Sequence, residues 1–408
     1  MKKSLLLLTL LSLLFTSCFN SVFYNITQDV PPEKATVSGI INSIARYTIE
    51  DQEFLVLAAD GGIRYKSATT EKRSEWYTYK NLPFELHHFD YSASEHQGEY
   101  IIKILSDDSY IYILSTTYYQ NDDLQLSCPD IVSIYSKKIS LNEDGLWNEE
   151  GEWNKVISGK DYFKFSIEDD YVYSDFNVFS TNSVQKAHRK AFIRLGNTES
   201  YTKEYRTPKY FELKGDSYSE YTPEELSGEK AEKNFDSVVY FDGKYMFINS
   251  VASITDETFT EEAKYIYYGV HKTLKYYSVA DGVKTAIENC GSPISCLTPC
   301  SNALLIGRAD FSDDIDYTTG GIIKTSLTDG GVPGSKLEDF TTNAHIQLSE
   351  SYYILCLLNA IPGKPELEST FYASVAFIGA GSNSTAGVNY DNIGLWSYYP
   401  SRGNWNRE

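Results

Sequence analysis

Acidic side chains interleaved with aromatic rings are the residues of this 408-residue sequence whose types and spacing best suit molecular recognition. They fall in three segments that show neither a strand-like nor a helix-like pattern. Carboxylates beside aromatic rings suit contact with a protein or a glycan, and the alternative is that they only keep these loops solvated. The candidate binding residues are Asp122, Asp123, Asp256, Glu257, Glu261, Glu262, Asp310, Asp313, Asp314, Asp316, Tyr118, Tyr119, Phe259, Phe311 and Tyr317.

Metal binding is the second chemistry that these residues could support. Asp310, Asp313, Asp314 and Asp316 are dense enough in oxygen ligands for Ca²⁺. They lack the Asp-x-Asp-x-Asp-Gly loop with a distal Glu, so they form only a weak calcium candidate and no metal is predicted. The adjacent pair His87-His88 would point to opposite faces of a strand and is not expected to hold one ion.

Sequence motifs of a catalytic centre or a cofactor site are absent. The chain contains no Gly-x-Ser-x-Gly, HExxH or Walker sequence. A glycine-rich stretch at 379–387 is not followed by a helix-like pattern, which argues against a phosphate loop. We therefore predict no catalytic residue and no cofactor. Carboxylate pairs brought together from distant positions stay open, so a glycan-acting hydrolase or lyase is the alternative.

Net charge and cysteine spacing argue against two kinds of partner, nucleic acid and a zinc ion. The chain has 36 basic and 56 acidic residues, a net charge of −20, which excludes an overall basic footprint for nucleic acid. Cys290, Cys296 and Cys300 form a cluster without CxxC spacing, so a zinc knuckle is not expected. Buried thiols are the favoured interpretation of this cluster, with a disulfide inside it as the alternative.

The first eighteen residues form a charged start, an apolar run from Leu5 to Phe15, and the ending Thr16-Ser17-Cys18. This pattern resembles the lipobox of bacterial lipoproteins, in a relaxed form similar to that of spirochaetes. The resemblance implies a signal peptide at 1–17, lipidation of Cys18 and membrane attachment through N-terminal acyl chains. Phe19 in place of Asp implies sorting to the outer membrane of the cell envelope, facing either the periplasm or the outside. An ordinary secretory signal is the alternative.

A repeated strand pattern organises the rest of the chain. Short apolar–aromatic runs follow polar turns six times, about 60 residues apart, and each is flanked by three further strand-like runs. Six units of four antiparallel strands predict an all-β fold, a β-propeller with six blades. Seven blades is the alternative, if residues 19–37 or the long third unit hold another. The predicted organisation is a signal peptide (1–17), a lipidated Cys and tether (18–37) and a propeller (38–408).

Two segments carry a resemblance to a known repeat. Ala58–Ser67, followed by Trp76, and Gly394–Ser397, followed by Trp405, resemble degenerate Asp-box (BNR-type) propeller repeats. Their turns lack the Asp of the family pattern. The resemblance supports the fold and implies no sialidase activity, because a sialidase needs three clustered arginines and this chain has no motif that places them together.

Loop length indicates which face of the propeller would bind. The long connections are assigned between second and third strands and would emerge together on one face. They are 115–130, 176–189, 250–263, 309–319 and 359–391. First strands, which would line the central channel, are mainly apolar, with Arg46, Lys103 and His345 as exceptions. The sequence thus predicts a lipid-anchored, non-catalytic module for a protein or glycan partner, with an enzyme or an outer-membrane assembly factor as alternatives.

Overall fold

The computed structural model describes part of one compact unit, residues 35–408. The described residues are 37, 39, 41–59, 61–68, 76–84, 98–118, 131–158, 175–196, 208–226, 235–250, 252–257, 263–309, 320–328, 330–340, 353–376 and 394–408. Cys18 and the predicted signal peptide lie outside them. No helix among these residues is long and apolar enough to cross a membrane.

Six of the sheets are four-stranded and antiparallel, and their strands follow one another in the chain. Their bounds are, for sheet 1, β1 (Ile44–Ile49), β2 (Gln52–Ala59), β3 (Gly62–Ser67) and β4 (Tyr77–Tyr79); for sheet 2, β5 (Gly98–Ser106), β6 (Ile111–Tyr118), β7 (Ile131–Lys137) and β8 (Asn154–Ile157); for sheet 3, β9 (Asp175–Ser180), β10 (Ala191–Gly196), β11 (Lys209–Lys214) and β12 (Ser217–Tyr221).

Within the described residues, sheet 4 has three strands, and three four-stranded sheets follow it. The bounds are, for sheet 4, β13 (Glu224–Glu225), β14 (Ser237–Phe241) and β15 (Lys244–Ile248); for sheet 5, β16 (Ala252–Thr255), β17 (Ile266–Val270), β18 (Thr273–Ser278) and β19 (Gly282–Ile287); for sheet 6, β20 (Ile294–Pro299), β21 (Ala303–Arg308), β22 (Ile322–Ser326) and β23 (Glu338–Asp339); for sheet 7, β24 (Tyr353–Asn359), β25 (Phe371–Ala376), β26 (Gly394–Tyr399) and β27 (Asn404–Arg407).

The sheets stand in a ring around a central channel. The first strands of successive sheets contact one another in the order β1, β5, β9, β14, β16, β20 and β24, and β24 returns to β1. The predicted propeller of six four-stranded antiparallel blades is confirmed. The additional three-stranded sheet 4 sits in this ring between sheets 3 and 5, after the long third unit that the sequence singled out.

Burial explains the apolar–aromatic runs. Each sheet packs between two neighbours, so its middle strands are covered on both faces, and β21, β25 and β26 are buried at every position. The outer strand β19 is mostly exposed. Between sheets 3 and 4 the packing is aromatic, with the rings of Phe192 and Phe247 edge to face at 5.0 Å.

The strand assignment differs from the sequence prediction in four places. Sheets 1, 2 and 6 follow the predicted order, but the predicted fourth unit combines β14 and β15 of sheet 4 with two strands of sheet 5. In sheet 3 the strand predicted as the third, β10, is the second strand. In sheet 7 the strand predicted as the second, β24, is the first strand. The strands that match no predicted run are β9, β12, β13, β16, β18 and β25. Of these, β9, β16 and β25 lie inside segments that were assigned as long connections.

The predicted places of the long connections change together with the strand assignment. Connections at 115–130 and 309–319 do join second to third strands, whereas 176–189 and 250–263 each contain a first strand and part of its link to the second. The range 359–391 contains β25. The long connections are therefore not confined to one face, because first-to-second and second-to-third links leave opposite ends of a sheet.

Side chains close the ring across neighbouring first strands. The amide of Ile104 donates to Ser43 Oγ (2.9 Å), and the amide of Asn359 donates to Thr298 Oγ1 (3.0 Å). At the junction of sheets 7 and 1, the Glu408 carboxylate accepts from Trp76 Nε1 (3.1 Å) and lies 3.4 Å from Lys66 Nζ. These bonds satisfy polar groups that face the channel or the junctions between sheets.

Candidate functional site

One concave site, called the cleft here, lies where sheets 3, 4 and 5 meet. Its volume is about 390 Å³, within the range of ligand pockets. One two-residue hairpin link and two ten-residue connections supply its wall. The lining residues are Gln185, His188, Tyr240, Phe241, Asp242, Gly243, Glu257 and Ala263.

One of the two ten-residue connections joins β9 to β10 and is called the strap, residues 181–190. Its base is closed by the Thr181 amide donating to the Lys190 carbonyl (3.1 Å). A single 3₁₀ turn at Lys186–His188 ends it, and the Gln185 amide donates to Ser183 Oγ (3.0 Å) before that turn. Local hydrogen bonds thus fix the direction in which the strap presents its side chains.

A carboxylate from sheet 5 holds two strap residues. Glu257 follows β16, is 8% exposed, and accepts a hydrogen bond from Ser183 Oγ at 2.5 Å. Its other oxygen lies 2.5 Å from His188 Nδ1. A hydrogen bond that one imidazole N–H donates to a carboxylate sets the orientation of the ring. Glu257 therefore positions His188 at the edge of the cleft.

Sheet 4 supplies an aromatic face and a tight turn. The Tyr240 ring stacks on His188 with centroids 3.7 Å apart, and Tyr245 packs edge-on against Tyr240 at 5.0 Å. Asp242 (φ 49°) and Gly243 (φ 77°) link β14 to β15. A two-residue Asp-Gly link with both φ angles positive matches the twist of a hairpin, which is why this dipeptide is favoured there. The Asp242 side chain is exposed at the rim.

The cleft combines hydrogen-bond acceptors with an aromatic floor. Because Nδ1 of His188 is engaged by Glu257, Nε2 is the nitrogen left for a ligand, and no described residue bonds to it. Asp242 adds an exposed carboxylate. This set can accept hydrogen bonds from hydroxyl or amine groups.

The far side of the strap is fixed to sheet 1. Arg189 is 2% exposed, and its guanidinium donates to Thr48 Oγ1 (2.8 Å), the Ser183 carbonyl (2.7 Å) and Glu53 Oε1 (3.3 Å). Burial lowers the pKa of Arg189 to about 10, and the Glu53 carboxylate acts in the opposite direction. Asn182 donates to the Ile44 carbonyl (3.0 Å). The strap is therefore attached at both ends.

A second cavity, the channel, has a volume of about 260 Å³ and runs between the first strands. Thr181, Asn182 and Val184 of the strap form part of its wall. Among the described lining residues the charged ones are Arg46 and Lys103, as the sequence predicted for their strands; His345 lies outside the described residues. Strap residues thus contribute to both cavities.

The structure brings one predicted binding residue, Glu257, into the cleft. Asp256 instead caps its own loop, accepting from the amides of Lys264 (2.7 Å) and Tyr265 (2.9 Å), and burial raises its pKa. Both follow a first strand, not a second strand as predicted. For Tyr118 only the backbone, at the end of β6, is described. The others lie outside the described residues: Asp122, Asp123, Glu261, Glu262, Asp310, Asp313, Asp314, Asp316, Tyr119, Phe259, Phe311 and Tyr317.

Sequence reasoning did not identify Gln185, His188, Tyr240 and Asp242 as site residues. Two signals were available. The segment 176–189 was recognised as a long connection, and Asp242-Gly243 is a hairpin dipeptide. Neither signal indicates that the two segments meet the loop of Glu257, because that contact depends on the order of three sheets.

Two further kinds of site in the described part of the chain would be metal-ligand clusters and reactive cysteines. It contains no group of three or more His, Cys, Asp or Glu side chains that could hold a metal ion. Cys290, Cys296, Cys300 and Cys356 are free thiols, so the disulfide alternative for their cluster is not formed. Burial raises the pKa of Cys290 to about 11 and that of Cys296 to about 12, which keeps both thiols protonated and unreactive near neutral pH.

No protein-family model and no curated protein matches the chain. Solved structures that align with it include the nidogen/laminin complex (11% identity, 84% of this chain and 95% of that chain, TM-score 0.36). An engineered GH43 glycoside hydrolase gives 8% identity, 90% and 68% coverage and a TM-score of 0.31. A β-fructofuranosidase from Microbacterium saccharophilum K-1 gives 12%, 76% and 78%, and 0.33. At these TM-scores the similarities carry no argument about function.

Proposed function

We propose that the protein is a lipid-anchored β-propeller of a bacterial envelope that acts as a non-catalytic binding module for a protein or glycan. We place the binding site at the cleft. The observation that carries this proposal is the set of His188, Tyr240, Asp242 and Glu257, brought together at a concave edge of the ring by sheets 3, 4 and 5.

The physical support comes from preorganisation. His188 is held by Glu257 and by stacking on Tyr240, so its ring loses little freedom when a ligand binds. Aromatic faces beside carboxylates provide contact area together with directional acceptors for hydroxyl or amine groups. Among the described residues, the site rests on the Asp242-Gly243 hairpin and on a strap attached at both ends, so these side chains are held in place before a ligand binds.

The test compares rim variants of the full chain on glycan and peptide arrays. Asp242→Asn removes the exposed carboxylate and Tyr240→Ala removes the aromatic floor. Asp144→Asn is the matched control, because Asp144 is also exposed and also precedes a glycine with positive φ. Ligands retained by the control and lost by both rim variants support the proposal. Ligands retained equally by all three proteins contradict it.

A glycan-acting hydrolase is the second candidate, and the specific observation that favours it is the Glu257–His188 pair. A carboxylate that holds Nδ1 leaves Nε2 as a proton acceptor, which could activate a water molecule for attack on a bound glycan. Mass spectrometry of array ligands after incubation with the full chain separates the candidates. Intact ligands support the binding module. Fragments that His188→Gln no longer produces support the hydrolase.

The membrane anchor is proposed from the lipobox resemblance alone, and it has its own test. Cells that express the full chain are fed an alkyne-tagged fatty acid, and the protein is examined for label. We expect label and outer-membrane fractionation for the unaltered chain and neither for Cys18→Ala. Label retained by Cys18→Ala would contradict the anchor and would leave the proposal for the cleft standing.

A further inference from the structure

Lys103 is the cation of the channel that has no carboxylate partner among the described residues. It lies on β5, and its ammonium donates to the Val178 carbonyl on β9. An ammonium has three N–H donors, and this is the one hydrogen bond that the described residues provide. Arg46, the other charged residue of the lining, is already paired with Glu53 at 2.7 Å.

The surroundings of Lys103 remove water without supplying a counter-charge. Burial lowers the pKa of Lys103 to about 8, and the field of Asp236 only partly opposes this. Asp236 is itself engaged by Arg194 at 2.5 Å. A partly buried ammonium without a counter-charge costs stability, and that cost is recovered when an anion binds beside it.

The charge of the channel lining is opposite in sign to the net charge of the protein. The chain carries a net charge of −20, yet the described lining of the channel holds two cations and no carboxylate. Hydroxyl groups complete the polar wall: Ser237 and Ser253, on β14 and β16, lie 2.6 Å apart between their oxygens. The proton of Ser253 Oγ is donated to Ser237 Oγ and that of Ser237 Oγ to the Ser250 carbonyl (3.2 Å), so the wall brings no repelling charge to an oxyanion and Lys103 is its donor.

We propose that the channel is a binding site for a small oxyanion, a carboxylate or a phosphate group, that pairs with the ammonium of Lys103. The volume of about 260 Å³ admits a ligand the size of one sugar acid and not a chain. This site is separate from the cleft, and its existence does not depend on the proposed function.

Isothermal titration of the full chain at pH 7 tests the proposal with three probes. Glucuronate and glucose differ by one carboxylate, and inorganic phosphate represents the other source of an oxyanion. We expect glucuronate or phosphate to bind and glucose not to bind. Binding by phosphate alone identifies a phosphate site. Glucose binding as well as glucuronate, or no anion binding up to roughly 10 mM, overturns the proposal.

Two lysine variants link the binding to this residue. Lys103→Met removes the charge and keeps the apolar stem, and we expect affinity for the bound oxyanion to fall at least tenfold. Lys336→Met is the control, since that ammonium is exposed on the surface and loses the same charge. Equal loss in both variants, or full affinity in Lys103→Met, would show that the oxyanion does not bind beside Lys103.

Discussion

The cleft and the channel share the strap as a wall, yet they hold opposite charges. The cleft presents Glu257 and Asp242, with His188 on an aromatic floor. The channel presents Arg46 and Lys103 among hydroxyl groups and backbone carbonyls. One connection of ten residues therefore separates a site that attracts hydroxyl or amine groups from one that attracts oxyanions.

The two cavities also differ in how far their polar groups are committed to the fold. In the channel, Ser43, Thr298 and Arg46 are already bonded across neighbouring first strands, so they close the ring. In the cleft, His188 Nε2 and the Asp242 carboxylate are left at the rim. Ring closure thus consumes polar groups near the axis, and what remains there for a ligand is concentrated on Lys103.

Releasing the strap from sheet 1 should have the largest effect, because the strap forms part of the wall of both cavities. Arg189→Ala leaves the carbonyl groups of Ser183 and Val184 and the hydroxyl of Thr48 without their buried donor. We expect the free energy of unfolding to fall by about 2–4 kcal/mol, measured by urea denaturation. Ligand binding at the cleft and in the channel should weaken together. A variant with wild-type stability would show that the strap is not held by this residue.

Removing the charge of Lys103 from the channel should increase the free energy of unfolding, whereas releasing the strap should decrease it. Because the folded-state pKa of Lys103 is lowered to about 8 from an unfolded value near 10.5, the ammonium destabilises the fold in full below about pH 8. We expect Lys103→Met to raise the unfolding free energy at pH 7 by roughly 1–3 kcal/mol. The gain should shrink as the pH rises from about 8 to about 10.5. A loss of stability at pH 7 would contradict the account of an uncompensated charge.

A glycine substitution sharpens the role of the hairpin in the cleft. Gly243→Ala should cost about 1 kcal/mol, because φ is 77° and no atom within 4 Å would meet the added Cβ, so that backbone strain is the whole effect. Gly145→Ala, at φ 74° and equally open, is the control for stability. Only Gly243→Ala should change cleft binding. Equal effects of both variants on cleft binding would show that the Asp242-Gly243 hairpin has no specific role in the site.

The smallest expected effect belongs to the rim carboxylate. Asp242→Asn should change stability by less than about 0.5 kcal/mol, since the side chain is exposed. It should nevertheless weaken cleft ligands and leave glucuronate binding in the channel unchanged. Thermal denaturation and the two titrations give both readouts from one sample. A loss of glucuronate binding in this variant would show that the cleft and the channel are not independent sites.

Three sheets could be predicted strand by strand from the sequence. Sheets 1, 2 and 6 carry a largely apolar second strand after a polar turn, and burial on both faces explains that signal. Ala252–Thr255 lacks it, because contacts with neighbouring strands, and not local composition, make this segment a strand. Phe371–Ala376 does carry an apolar run, but it lies inside a segment that was assigned as a connection. The assignment therefore shifted by one strand wherever a first or second strand was inconspicuous.

The site was predictable only in part for the same reason. Glu257 belongs to an acidic and aromatic segment, so its composition marked it. Its partner His188 lies 69 positions away, and the contact exists because the strap crosses from sheet 3 to sheet 5. Lys103 was noticed as a charged exception on a first strand, but its missing counter-charge depends on which residues face the channel.

The most direct test of the proposed binding site is one array measurement on the full chain and on Asp242→Asn, with Asp144→Asn as the control. We predict at least one glycan or peptide ligand that the control retains and Asp242→Asn loses by about tenfold or more in affinity. A ligand set that is identical for the three proteins would contradict the assignment of binding to the cleft.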